Sequence, residues 1–214
     1  MKSKEKKYRE KGDMREKILE VSKQMFANQG FDKTSLRKIA EKLKCSPGTI
    51  YLYFKNKDEL LFAVHDEGFK LLHERMHARM GIKDPMLRLK ELARTYIQFA
   101  WDFPEYYDLM FNQSAPMNVL EERHGPLDEV DEAKWTSAMS SFGCLYESVR
   151  YAIEKEILIE EEVEKITFGL WGAVHGMVSL CLCKRMQMFP NHSIEELVLK
   201  STDMITDMFK RKKN

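Results

Sequence analysis

The chain has 214 residues, 43% of them hydrophobic and 11% aromatic, which excludes a disordered polymer and leaves room for a full core and two domains. Its net charge of +1 hides an asymmetry: residues 1–57 carry 16 Lys and Arg against 7 Asp and Glu, and the remainder carries 19 against 27. A basic head on an acidic body points only the head at a polyanion. No apolar run of bilayer length is expected, and MKSKEKKYREKGD has no signal-peptide core. Cys45, Cys144, Cys181 and Cys183 lack framework spacing, so they read as reduced thiols of a cytoplasmic protein without a membrane partner.

In chain order, residues 1–12 read as a basic flexible tail whose lysines are solvated or track phosphates. A first helix is expected from Asp13 to Gln29, with Ile18, Val21, Met25 and Phe26 inward and Gly30 as its stop. A second starts at Ser35 and buries Leu36, Ile39, Ala40 and Leu43. A third starts at Ser46, with Pro47 at the first helical position, where its missing N–H costs nothing. Asn56-Lys57-Asp58-Glu59 opens a fourth helix that runs to about Met80 and ends at Gly81. Asp84-Pro85 caps a fifth, reaching about Trp101, and Pro104 opens a short sixth through Phe111. Residues 112–127, with Pro116, Gly125 and Pro126, read as a long loop. Two long helices follow, over about 128–156 and 160–188, with Pro190 stopping the second. A last helix opens at Ser193 and Glu196 and runs to the basic KRKK end, which suits the helix dipole. No strand alternation is sustained, so the fold class is all-α.

The stretch from Thr34 to Phe54, TSLRKIAEKLKCSPGTIYLYF, holds two short helices joined by a tight turn. The second opens with small hydrogen-bonding groups and ends near lysines, which suits a helix laid in a DNA major groove between two phosphate strands. The DNA-binding candidates are Ser35, Arg37, Ser46, Pro47, Gly48, Thr49, Tyr51, Tyr53, Lys55 and Lys57. Gly48 lets the backbone approach the duplex. Ser46 and Thr49 donate to phosphate or a base edge, with Ser46 also capping its helix. Tyr51 and Tyr53 reach backbone or a thymine methyl. Pro47 cannot donate, so reading at that point is apolar or steric. Lys55 and Lys57 fit phosphate contacts. Arg37 either reaches a base or belongs to a solvated helix face.

Phe26, Gly30-Phe31, Thr34-Ser35, Ile39-Ala40, Ser46 through Tyr51, Tyr53-Phe54 and Lys57 through Leu61 together resemble the DNA-binding domain of the TetR family of bacterial transcription regulators. Trp171 with His175-Gly176 resembles the W/HG signature of a C-terminal subfamily. The resemblance implies a tail (1–12), an N-terminal three-helix helix-turn-helix domain (13–57) and a six-helix C-terminal effector-binding and dimerisation domain (58–214). It also implies a homodimer on a palindromic DNA operator, a repressor released by a small apolar or aromatic effector. The expected effector pocket is Phe103, Tyr106, Tyr107, Met110, Phe111, Met139, Phe142, Trp171 and His175, with Met117 and Trp135 nearby in the same soft, aromatic stretches. The expected dimer interface is Gly169, Gly172, Gly176, Leu182, Met186, Leu197 and Met204. At about 100° per residue the three glycines share one side of a helix, opposite Trp171, His175, Val178 and Leu182. Which side faces the pocket and which the partner stays open.

Two other classes compete. His73-Glu74-Arg75-Met76-His77 matches the H-E-x-x-H pattern of zinc hydrolases, though no third ligand stands at a recognised spacing. A protein-interaction module that keeps the helical body without binding DNA is the other. No catalytic residue, resident metal or cofactor is expected, and the chain is not expected to be an enzyme.

Overall fold

The computed structural model describes the backbone of residues 2–116 and 129–212, and the side chains of residues 13–116 and 137–212. Met117 and Trp135 lie outside the described side chains, as does most of the expected long loop. The described residues form nine α-helices and no strand beyond one isolated bridge. They are α1 (Lys2–Gln29), α2 (Leu36–Lys42), α3 (Pro47–Tyr51), α4 (Lys57–His77), α5 (Pro85–Asp102), α6 (Pro104–Phe111), α7 (Glu129–Glu154), α8 (Val163–Leu182) and α9 (Ile194–Met208). A 3-10 turn, Arg185–Met188, lies between α8 and α9.

The chain divides into two compact units, one of Met1–Phe69 with Glu105–Trp135, the other of Lys70–Pro104 with Thr136–Asn214. In the first, α1 and α2 pack through Ile18, Phe26, Leu36 and Ile39, all buried, and Ile50 and Phe54 close the core from α3 and the turn after it. Each such side chain contributes about 1.5–3 kcal/mol by leaving water. Residues of α6 complete this unit: Tyr106 and Met110 lie against Gly68 of α4, where a side chain on Gly68 would collide with Met110.

In the second unit α5, α8 and α9 pack together around Leu89, Val149, Ala152, Leu158, Ile166 and Leu170. Lys90 and Arg94 of α5 pair with Asp207 and Asp203 of α9 at 2.9 and 2.8 Å. Thr167 and Thr202, both buried, leave their hydroxyl oxygens without a hydrogen-bond partner.

Four expectations are corrected. The first helix starts at Lys2 rather than Asp13. Residues 2–11 are nearly all Lys, Glu, Arg and Ser, which tolerate a helix as readily as a solvated coil, and Gly12 alone does not break it. The α8 helix ends at Leu182, not 188: Cys183 and Lys184 return their N–H groups to Ser179 and Cys181, and Lys184 turns left-handed with φ +57°. Pro190 lies well beyond that stop. The last helix ends at Met208 and has no basic last turn, because Ile159 N–H donates to Phe209 O and Arg211 N–H to Ile157 O, each at 2.9 Å. Finally, α8 is long and apolar enough to match a bilayer by length and composition alone, contrary to the expectation that no run is. Its Ile166, Leu170, Val174 and Val178 face is buried in the protein, while Phe168 and Leu180 on its other side are exposed.

Candidate nucleic-acid interface

Local hydrogen bonding sets the head. Gly30 takes φ +80° to end α1, and its N–H returns to Phe26 O at 3.0 Å. Buried Thr34 donates from Oγ1 to Gly30 O at 2.9 Å, tying the turn to α1. Ser35 caps α2, its Oγ accepting from Lys38 N–H at 3.3 Å. Between α2 and α3, Lys44 adopts φ +55° and the N–H groups of Lys44 and Cys45 return to Glu41 and Ala40. Ser46 Oγ then accepts from Thr49 N–H at 3.2 Å and lies 3.0 Å from Thr49 Oγ1. Inward, Ile50 and Phe54 are buried, with the Arg15 guanidinium 5.5 Å from the Phe54 ring centre.

The outward side of this segment carries Pro47, Gly48, Tyr51 and Leu52, all exposed, while Thr49 and Tyr53 are half-buried. Pro47 and Tyr51, and likewise Gly48 and Leu52, are four apart and form two adjacent rows on one face. Lys33, Arg37, Lys38, Lys42, Lys44 and Lys55, on the flanking segments, are exposed, as are Asp32, Glu41 and Glu59. Lys57 is placed differently from the expected phosphate contact. Its Nζ donates to Phe31 O at 2.9 Å and lies 3.9 Å from the Phe31 ring centre, so it anchors the turn after α1 to the start of α4. Asn56 Oδ1 accepts from Glu59 N–H at 2.8 Å, and the Glu59 carboxylate accepts from Lys55 N–H at 2.6 Å. The Ser35 side chain is half-buried and engaged as a cap. Leu52 was not among the expected contacts, although at 76% exposure it is the most open large apolar side chain of the head. Its place between two tyrosines, off the Ile50–Phe54 inward row, was the available signal.

The expected effector residues fall into two groups. In the first unit Tyr106, Tyr107 and Met110 are buried and Phe111 half-buried. Tyr106 donates to the Glu67 carboxylate at 2.7 Å under the Lys23 ammonium, 4.4 Å from its ring centre. Burial and that carboxylate push the Tyr106 phenol far above its usual pKa. His65 of α4, edge-on to Phe69, is driven down to about 4 by burial, with Asp66 opposing.

In the second unit Trp171 Nε1 donates to Tyr96 OH at 3.3 Å, Tyr96 OH lies 3.2 Å from His175 Nδ1, and Ser179 Oγ lies 3.4 Å from His175 Nε2. Burial lowers the His175 pKa. Phe142 lies edge-on to Trp171 at 6.2 Å, Phe103 lies under the Arg75 guanidinium at 4.7 Å, and Met139 is exposed.

Of the expected dimer residues, Gly172 and Gly176 have open space where a side chain would be, whereas Gly169 backs onto Phe209. Met186 is buried, Leu182 and Leu197 are half-buried, and Met204 is exposed. Reading by spacing missed Phe168 and Leu180, exposed on α8 at four-residue steps from Gly172 and Gly176, and Met208, exposed one turn beyond Met204.

The H-E-x-x-H residues do not converge on a metal. His73 Nδ1 meets Cys144 Sγ at 3.8 Å, its ring lies 5.4 Å from that of His77, and Glu74 is exposed. Burial raises the Cys144 thiol pKa. Among the described residues, no three His, Cys, Asp or Glu side chains are grouped so as to hold an ion.

A helix-turn-helix head joined to a six-helix body is the fold of a DNA-binding regulator. The sequence profile described as "Bacterial regulatory proteins, tetR family" matches residues 18–64, and the one described as "Tetracyclin repressor-like, C-terminal domain" matches residues 89–204. The chain belongs to the TetR family of bacterial transcription regulators, not to an enzyme family. It is 45% identical over 51 residues to an uncharacterized HTH-type transcriptional regulator of Haemophilus influenzae, covering 24% of this chain and 27% of that one. It is 34% identical over 76 residues to the fatty acid metabolism regulator protein of Bacillus subtilis, covering 36% and 38%. The matches thus span well under half the length of these curated relatives. By fold it is similar to the fatty acid degradation regulator FadR of Bacillus halodurans, with TM-score 0.71, 18% identity and coverage of 90% of this chain and 93% of that one. A TetR family regulator of Marinobacter aquaeolei VT8 matches with TM-score 0.71 and 18% identity, covering 95% and 100%.

Proposed function

We propose that the chain is a homodimeric, sequence-specific transcription repressor, released from a palindromic operator by a small apolar or aromatic effector in the cytoplasm. The observation that carries this reading is the outward presentation of α3: a Ser46 cap and two buried anchors fix the helix, and six exposed cations lie on the segments flanking it in sequence. Those cations supply the salt-dependent, sequence-independent part of binding, and Ser46, Thr49, Tyr51 and Arg37 supply candidates for orientation and reading. Support for the dimer comes from the outer side of α8, where Phe168, Gly172, Gly176 and Leu180 form an apolar, partly side-chain-free row. A second copy meeting that row would place two heads on two half-sites.

The polar chain of Trp171, Tyr96, His175 and Ser179, with the Phe142 ring edge-on to Trp171, suits the polar tip of an effector. The effector must favour the form released from DNA, by about 1–3 kcal/mol. The name of the Bacillus subtilis relative makes fatty acids the first compounds to screen. The test is selection of duplexes from a random library by the purified chain, followed by gel-shift titration of the enriched sequence. A palindromic consensus bound with steep salt dependence is expected. No enrichment over unselected DNA by an intact dimer refutes the reading.

A further inference from the structure

The outward face of α3 offers little that can hydrogen-bond a base edge. Pro47, Gly48, Tyr51 and Leu52 occupy it with one side-chain hydroxyl, that of Tyr51, while the exposed Ser46 hydroxyl at the start of the helix is engaged with Thr49. Major-groove discrimination runs on donors and acceptors with one exception, the thymine C5-methyl, which is read by apolar contact.

Three observations point the same way. Tyr51 and Leu52, at 56% and 76% exposure, are the only exposed large hydrophobic residues among the described residues 13–69. A scattered exposed leucine is unremarkable, but here the pair is adjacent and confined to this one face. Gly48 serves no need of the protein itself. Its φ is not positive, and a side chain added there would meet only Ser46 Oγ, at an ordinary 3.6 Å. Glycine weakens a helix, so a bare patch that the fold does not require suits the close approach of an outside surface. The basic excess of the head, with Arg37, Lys44 and Lys55 exposed on the segments next to α3, makes that surface a polyanion rather than an apolar protein partner.

We propose that Pro47, Tyr51 and Leu52 read thymine C5-methyl groups, with Leu52 a specificity-determining residue, so that operator recognition depends on the methyls themselves. This rests on the DNA-binding reading above. An apolar face over thymine gains by burying methyl surface, and over cytosine or a purine it leaves base-edge polar groups without partners.

The test uses the full chain and the duplex enriched from the random library. Each thymine is replaced singly by deoxyuridine, which removes the methyl and nothing else, and affinity is measured by fluorescence anisotropy at one fixed salt concentration. At least one thymine in each half-site is expected to lose about fourfold in affinity, the value of one buried methyl-sized group. Leu52→Ala should weaken binding to the thymine duplex by about tenfold and abolish the uridine penalty at that position. Its melting temperature should stay close to the wild-type value, since Leu52 is 76% exposed. Uridine duplexes that all bind within about twofold of the parent overturn the proposal. So does a Leu52→Ala protein that keeps the full uridine penalty, or one whose sedimentation changes while its DNA affinity does not, which would make the patch a protein contact. Failure to enrich any duplex removes the DNA-binding reading itself, and this proposal with it.

Discussion

Gly68→Ala tests the packing of α4 against α6 within the first unit. The added Cβ would lie 2.5 Å from Met110 Sδ, 3.1 Å from Tyr106 Cδ1 and 3.3 Å from Met110 Cγ. Tyr106 is held in place by its hydrogen bond to Glu67 and by the Lys23 ammonium over its ring, so Met110 has to move. Methionine adapts, but Met110 is buried and must displace something to do so. Overpacking of this kind costs about 1–3 kcal/mol. Replacing glycine by alanine inside a helix returns about 1 kcal/mol. The expected net effect is a loss of about 1 kcal/mol. On a Met110→Ala background the 2.5 and 3.3 Å contacts are gone and only the tight 3.1 Å approach to Tyr106 Cδ1 remains, so the same Gly68→Ala change should stabilise by up to about 1 kcal/mol. The sign therefore reverses, with a coupling of about 2 kcal/mol across the double-mutant cycle. Urea unfolding of the four proteins at pH 7, followed by far-UV circular dichroism, measures it. A Gly68→Ala protein more stable than wild type, or equal shifts on both backgrounds, would refute the argument.

Three further outcomes are expected. His65 is buried with its pKa lowered from 6.5 to about 4, so the unfolded chain binds the proton more readily. The stability this confers is complete above pH 6.5, falls as pH drops towards 4, and amounts to about 2 kcal/mol between pH 7 and pH 5. His65→Gln should flatten that part of the urea-midpoint profile against pH, and an unchanged slope would place the titration elsewhere. Ser46→Ala removes the α3 cap and should cost about 1 kcal/mol in thermal melts together with DNA affinity; unaltered melts would mean that the cap contributes nothing. Gly172→Leu adds a side chain into open space, so the protomer should fold normally yet sediment as a monomer; a dimer as tight as wild type would exclude this face from the interface.

Much of the fold is legible because its boundaries are made by local chemistry. Ser35, Ser46, Asp84 and Ser193 all cap helices through their own side chains, and Gly30 takes the left-handed turn its position suggests. Features made by partners distant in sequence were not legible. Lys57 looks like a phosphate contact until Phe31, 26 residues earlier, supplies the carbonyl and ring that hold it. The end of α9 looks basic until the backbone around Leu158 claims residues 209–211. Lys184 turns left-handed without a glycine or asparagine to announce it, so Pro190 was the more visible stop. Leu52 is ambiguous for another reason: leucine defaults to the core, and only its observed exposure separates it from Ile50 two residues away. Periodicity puts the three glycines on one side of α8, but only the packing separates them: Gly172 and Gly176 face open space while Gly169 backs onto Phe209.

The hydrogen-bonded chain through Trp171 also makes the molecule its own optical gauge. The indole lies 6.2 Å from the imidazole of His175, and burial keeps that imidazole uncharged further into acid than a solvated one. A protonated imidazole quenches indole emission more strongly than a neutral one, so near pH 7 Trp171 should glow brightly and dim as His175 gains its proton. Any compound that displaces Tyr96 or His175 from the indole alters that brightness directly. With Trp101 and Trp135 replaced by phenylalanine, leaving Trp171 as the one indole, occupancy of this region can be followed without a label, by light alone.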